Sequence, residues 1–240
     1  MSFFEKLCRL VYPSRCPGCD DILVGDDLLC PVCRENKKLF APIREPRCMI
    51  CGRQMSLGST VCENCNEQKH EYLRGFPAFE YSSVKDSLYK FKYGSRAEYA
   101  KFYANSMARI VGYNIVSLKP DALLPVPIHK KRLQKRGYNQ AELLCKRFGE
   151  ILDIPVYTNL VSRVSDTKPL KNLDRKEREN NLKGSFKSTL NDVKLSTIVI
   201  IDDIYTTGST IDELSRTLKE CGVQKIYYAS VAVGSNITDE

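Results

Sequence analysis

Eight of the chain's 11 cysteines fall in four C-x-x-C pairs: Cys16/Cys19, Cys30/Cys33, Cys48/Cys51 and Cys62/Cys65. Each pair can form a tight knuckle whose two thiolates converge on one metal, and two knuckles complete a tetrahedral zinc site of four thiolates. The step from each cysteine of the first set to its counterpart in the second is 32 residues throughout, as from Cys16 to Cys48. The spacing therefore predicts two zinc ions, structural rather than catalytic, because four thiolates leave no position open for water. Sequential sets close the shorter loops; an interleaved cross-brace stays open at this level. A disulfide framework belongs to an oxidising compartment, and no export signal precedes these cysteines. A thioredoxin-like redox motif needs a single βαβ setting, which four repeated pairs lack. His70 follows closely enough to substitute as a ligand, but eight thiols already suffice for two sites, and Cys8, Cys145 and Cys221 lack neighbouring ligands and read as packing residues.

A second chemistry-bearing stretch lies in the C-terminal third. The β-branched run Thr197 to Ile201 reads as a strand buried on both faces. Asp202 and Asp203 stand at its end, before the small polar loop Thr206, Thr207, Gly208, Ser209 and Thr210. Ile211, Leu214, Leu218 and Cys221 then form a helical stripe ended by Gly222, and a further strand over Ile226 to Val233 completes a βαβ unit. Hydroxyls and unpaired backbone N–H groups at a helix N-terminus favour a phosphate, with Gly208 allowing close backbone approach. The adjacent carboxylates would repel that phosphate, so they are expected to face sugar hydroxyls or magnesium. A capping box over Ser209 to Asp212 is expected to operate as well.

Between these stretches the chain is basic. Residues 76–186 carry 21 Lys/Arg against 11 Asp/Glu, within a whole-chain net charge of +8. Lys130, Lys131, Arg132, Lys135 and Arg136 follow a predicted strand over Ala122 to Val126 and suit a loop that binds diphosphate or DNA, the candidates being Lys130, Arg132 and Arg136. His129 reads as a surface or packing residue, and Gly137 to Gln140 open a helix with Ala141, Leu144, Cys145 and Phe148 on one face. Leu88 to Gly94 interleaves aromatics with lysines, as single-strand nucleic-acid surfaces do, with Phe91 and Tyr93 as candidate stacking platforms; helix packing with exposed lysines explains it equally well. Ser162 to Asn181 is dense in charge and reads as a mobile loop.

The elements that must hold these groups make an α/β parallel-sheet domain over 76–240, preceded by a cysteine-rich zinc module over 1–75. Hydrophobic content of 42% with 28% charged residues fits a globular protein and excludes a low-complexity coil. No run approaches the roughly 18 apolar residues of a spanning helix, so a cytoplasmic protein is expected.

From Val199 to Thr210, apolar residues, two acids, two further residues and Thr-Thr-Gly-x-Thr resemble the 5-phosphoribosyl 1-diphosphate (PRPP) motif of type I phosphoribosyltransferases. The resemblance implies that Thr206 to Thr210 wrap the 5-phosphate, while Asp202 and Asp203 address the ribose hydroxyls as the catalytic acids, with magnesium bridging ribose and diphosphate. Pro125-x-Pro127, Arg132, Arg136-Gly137-Tyr138-Asn139-Gln140-Ala141 and the tandem C-x-x-C module narrow the resemblance to the ComF (GntX-like) family. So do Arg163, Thr167, Leu173, Arg178, Asn181, Gly184 and Phe186; Leu170 departs from the family's usual Gln, so it is given no polar role. The family implies a double zinc ribbon on a phosphoribosyltransferase-type domain, with Ser162 to Asn181 as the loop that covers PRPP. It further implies a competence accessory assisting single-stranded DNA uptake, in the cytoplasm or peripheral to the inner membrane beside the DNA-uptake machinery. An active phosphoribosyltransferase of nucleotide metabolism is the alternative.

Overall fold

The computed structural model describes residues 13–165, 182–189 and 194–234. Four parallel strands form the central sheet: β1 (Arg74–Glu80), β2 (Ala122–Pro125), β5 (Thr197–Tyr205) and β6 (Lys225–Val233), in the order β1-β6-β5-β2. Val199 and Ile201 face one buried layer and Ile198 and Ile200 the other, which is why the run reads as apolar without alternation. On the first face lie α3 (Lys85–Tyr93), the long α4 (Tyr99–Ser117) and α6 (Gln140–Leu152), packing Leu88, Phe91, Tyr103, Leu144 and Phe148 against the sheet. The opposite face is covered by α7 (Ser209–Glu220) and by a two-stranded antiparallel ribbon of β3 (Val161–Arg163) and β4 (Phe186–Ser188).

Two expectations need correction. The strand carrying the acids does not stop at Ile201: β5 runs on to Tyr205 because β6 continues to pair with it, Asp202 opposite Ser230 and Tyr205 opposite Val233. The cation cluster is not a loop but a short helix, α5 (Lys130–Arg136), built from good helix formers. His129 caps it by accepting from the Lys131 N–H, and Gly137, at φ 82°, ends it. The charged segment expected over Ser162 to Asn181 lies outside the described residues from 166 onward; its two stems pair as β3 and β4.

The cysteine module is a true repeat. Short helices α1 (Pro31–Glu35) and α2 (Glu63–Glu67), and the bridges Arg15–Ile22 and Arg47–Gln54, recur at the same 32-residue step as the cysteines. Asp20 and Gly52 hold equivalent left-handed positions, at φ 71° and 70°. The repeats are docked differently. The first keeps a small cluster of its own, Cys16, Leu23 and Cys33, and is tied to α4 through Asp20, which accepts from Arg96 at 2.6 Å and from Tyr99 Oη at 2.7 Å. The second is part of the sheet's core, with Cys48, Cys51 and Cys65 in the same buried cluster as Ile198 and Ile200. Between them, Phe40 to Ile43 run along the outer edge of β1, where Ile43 N–H donates to Ala78 O.

Contact between the second repeat and the sheet depends on Gly75. Tyr228, wholly buried, lies over that glycine and donates its hydroxyl to Cys51 O at 2.7 Å; a methyl group on Gly75 would sit 2.1 Å from Tyr228 Cε1. Gly75→Ala should therefore displace the tyrosine and cost about 1–3 kcal/mol, the usual penalty of overpacking. Urea denaturation of the zinc-loaded protein measures this, and an unchanged midpoint would refute it.

Candidate functional site

The thiols assemble as two sequential sets, Cys16/Cys19/Cys30/Cys33 and Cys48/Cys51/Cys62/Cys65, each with its ligand atoms within 4.8 Å of one another. This settles the pairing against the cross-brace. A zinc tetrahedron with bonds of about 2.3 Å has edges of about 3.8 Å; Cys19 and Cys30 are 3.8 Å apart at sulfur, Cys51 and Cys62 3.6 Å. Backbone N–H groups already point at the sulfurs, Cys30 N at Cys16 Sγ and Cys62 N at Cys48 Sγ. Four sulfurs at these distances fit structural zinc, which supplies the cross-link that such small clusters lack. His70 is not a substitute ligand, since its set already has four thiols. Its Nε2 stands 3.5 Å from Cys65 Sγ and its Nδ1 2.9 Å from Asp212. Of the remaining cysteines, Cys145 is buried packing, Cys221 is exposed and Cys8 lies outside the described residues.

The acid pair sits toward the C-terminal end of β5, with Asp203 on the side of α3. Asp203 is 3.1 Å from Lys92 Nζ, and its backbone N–H donates to Asp202 Oδ1 at 2.8 Å. Burial, reinforced by the negative charge of Asp203, pushes the Asp202 carboxyl up to about 8, against the opposing pull of Lys92 and Arg163. Lys92 is placed by the Gly-Tyr-Asn-Gln stretch. Gln140 Nε2 donates to the carbonyls of Phe91 and Lys92 at 3.3 and 3.4 Å, and Tyr138 Oη donates to Phe91 O, so the open C-terminus of α3 is satisfied from α6. Asn139 caps α6 and ties it to β2 through Val126 O. Lys92 and Gln140 are not legible as site residues in the sequence, because the contacts that matter join segments far apart in the chain.

Thr206 to Gly208 form the turn after β5, and α7 begins at Ser209 with Gly208, at φ 87°, as its N-cap. Thr207 Oγ1 and Ser209 Oγ lie 2.9 Å apart. The capping box does not form: α7 has no side-chain cap, which leaves its first amides for another acceptor. Asp212 instead points at the second cysteine repeat, where it accepts from Gln68 Nε2 at 3.2 Å and from Glu71 N at 2.8 Å and pairs with His70. Arg53, also from that repeat, donates to Thr206 O at 3.4 Å.

Lys130 is exposed, while Arg132 and Arg136 are half-buried. Arg136 lies over the Tyr93 ring, 4.9 Å from its centroid, and donates to Tyr93 Oη at 3.1 Å. Phe91 is corrected as a stacking candidate: it is wholly buried, on the face of α3 that packs on α4. The outward pair is Tyr89 and Tyr93, four residues apart, 66% and 57% exposed, with ring centroids 5.1 Å apart.

A parallel sheet with paired acids at a strand end and an uncapped helix after a glycine turn defines a phosphoribosyltransferase-type domain, here carrying two four-cysteine ribbons. The comparisons agree. Residues 7–69 match the double zinc ribbon domain and residues 134–237 the phosphoribosyl transferase domain. Competence protein F of Haemophilus influenzae is 30% identical over 236 residues, covering 94% of this chain and 96% of that protein. Competence protein ComFC of Bacillus subtilis is 30% identical over 210 residues, 84% of this chain and 82% of that protein. DNA utilization protein YhgH of Escherichia coli K12 is 25% identical over 226 residues, 90% and 96% respectively. The chain belongs to the ComF family.

Protein purified without added metal should carry close to two zinc equivalents, and Cys19→Ser or Cys62→Ser should each lose one while keeping the other. Metal analysis after dialysis decides it; a value near zero would refute both sites.

Proposed function

We propose that this chain is a competence-type DNA-handling protein whose phosphoribosyl site holds PRPP or the phosphorylated ribose of a nucleic-acid end. The names of its relatives support the first half of that reading. The observation that carries the second is the placement of the Asp202–Asp203 pair beside an uncapped helix N-terminus, with Lys92 as the counter-charge. In this reading, amides and hydroxyls from Thr206 to Thr210 take the 5-phosphate. Asp202 and Asp203 accept from the ribose hydroxyls and help hold magnesium, which would neutralise the diphosphate when bound. Lys130, Arg132 and Arg136 would supply the cations for a diphosphate or a DNA strand.

Single-stranded DNA would run along α3. Tyr89 and Tyr93 offer ring faces to bases, Arg136 backs the second ring, and Lys92 leads from that surface to the acids. No helix among the described residues is long and apolar enough to cross a membrane. In this reading the protein works in the cytoplasm, as a peripheral partner at the inner face of the DNA-uptake machinery that the competence-protein relatives suggest.

Two experiments test this. Asp202→Asn with Asp203→Asn should weaken PRPP binding by calorimetry with magnesium, each lost charged contact contributing about 1.5–3 kcal/mol, or tenfold to more than a hundredfold. Because Asp202 holds its proton up to about pH 8, the wild type should bind magnesium–PRPP more tightly as pH rises from 7 to 9, and Asp202→Asn should flatten that rise. Unchanged affinity in the double variant would mean the site is elsewhere.

For DNA, single-strand affinity should fall with salt at a log–log slope of about −0.7 per neutralised phosphate. Tyr89→Ala with Tyr93→Ala should remove about 1–3 kcal/mol per stacked base. Salt-independent or undetectable binding by the zinc-loaded protein would refute the DNA surface and leave the phosphoribosyl reading standing.

A further inference from the structure

Asp212 is a negative charge in the first turn of the helix whose N-terminus is the candidate phosphate cradle. Its side chain is only 8% exposed, and a buried carboxylate needs donors. The hydrogen bonds described above bring it three, all from the second zinc ribbon: the Gln68 side chain, the His70 ring and the Glu71 backbone N–H. His70 is itself 3% exposed. It is clamped between Cys65 Sγ on one side and Asp212 on the other, and stacked on Tyr72 at 4.8 Å. Tyr72 in turn shares a hydrogen bond of 2.7 Å with Tyr205, the last residue of β5. His70 Cε1 would also lie 3.0 Å from a methyl group on Gly208, so the imidazole packs directly against the turn of the phosphate loop.

A carboxylate near a helix N-terminus is attracted to the same amides that a phosphate would use, and it repels that phosphate. We propose that His70, with Gln68 and the Glu71 N–H, is a positioning group for the phosphate loop: the second ribbon turns the Asp212 carboxylate aside and offsets its charge, so that the loop stays available to an anionic phosphoribosyl group. The first ribbon has no such role, because its own latch, Asp20 on Arg96 and Tyr99, leads to α4 instead. The identity of the anion rests on the reading given under Proposed function; the latch itself does not.

Charge interference makes a prediction that loss of packing does not. Calorimetry with PRPP, and separately with inorganic phosphate, should show His70→Ala binding about ten- to a hundredfold more weakly, the usual effect of losing one charge-assisted hydrogen bond. Adding Asp212→Asn to His70→Ala should recover most of that loss, since no charge is left to interfere. His70→Asn, whose Nδ2 is placed to donate where Nδ1 does, should recover it as well. Asp20→Asn, the matching change in the first ribbon, should leave phosphate binding unaltered. All four variants should keep two zinc equivalents.

Wild-type affinity in His70→Ala, no recovery in the double variant, no recovery in His70→Asn, or an equal loss in Asp20→Asn would each overturn the proposal. Should His70→Ala not take up two zincs, Gln68→Ala with and without Asp212→Asn carries the same comparison. If the wild type binds neither PRPP nor phosphate, the functional reading fails and the latch is judged alone. Hydrogen exchange at the Glu71 amide should then quicken about tenfold or more in His70→Ala and not in Asp20→Asn, and unchanged exchange would overturn the latch too.

Discussion

A buried carboxylate that takes its partners from a segment more than 140 residues earlier is the constraint on which the arrangement turns. Asp212 cannot be desolvated at the start of α7 unless the second ribbon is in place to donate to it. The ribbon in turn cannot lie there unless Tyr205 and Tyr228 stack beneath it, with Tyr72 edge-on to both and Tyr228 over Gly75. Sheet, α7 and the second thiol set thus share one packed layer. The ribbon is a wall of the domain rather than an appendage, which is why its thiols appear in the same buried cluster as the strand residues Ile198 and Ile200.

The two ribbons show how one backbone motif can be put to two uses by a single residue type. At the left-handed position of the knuckle the first has Asp20, whose carboxylate, held down to about 2 chiefly by its hydrogen bond from Arg96, reaches outward to α4. The second has Gly52, where a methyl group would sit 2.4 Å from Pro77 Cδ, so the knuckle lies flush on β1. A side chain gives the first repeat a polar tether, and the lack of one gives the second an apolar seat.

Much of this is legible in the sequence. Thiol spacing specifies two four-thiol sites and favours sequential sets because these close the shorter loops, while the exclusion of a cross-brace comes from where the sulfurs assemble; the apolar run before Asp202 specifies a buried parallel strand. What is not legible depends on distant partners. Nothing local to Asp212 indicates that it turns toward His70 rather than capping its own helix, and nothing local to Gln140 shows that it satisfies the end of α3. Phe91 is misread when composition alone puts every aromatic of that stretch on equal terms, although the helical period of Leu88 and Phe91 marks the inward face. The strand length is underestimated because Asp202 and Asp203 are poor strand formers, overridden by pairing with β6.

The strip from Phe40 to Ile43 along the outer edge of β1 bears on how the chain is made. An outer strand with open N–H and C=O groups is a template for pairing with other molecules, and growing chains are most vulnerable to that before a domain is finished. Here the cover is encoded ahead of the strand it covers. By the time Phe76 to Glu80 leave the ribosome, the linker that will lie against them has already been synthesised, tethered on both sides by metal-held knuckles. Pro77, which has no N–H to offer, sits in the same strand. A chain shortened at its N-terminus would lose both its metal sites and the guard on its sheet, and would be prone to aggregate for a reason unrelated to its binding sites.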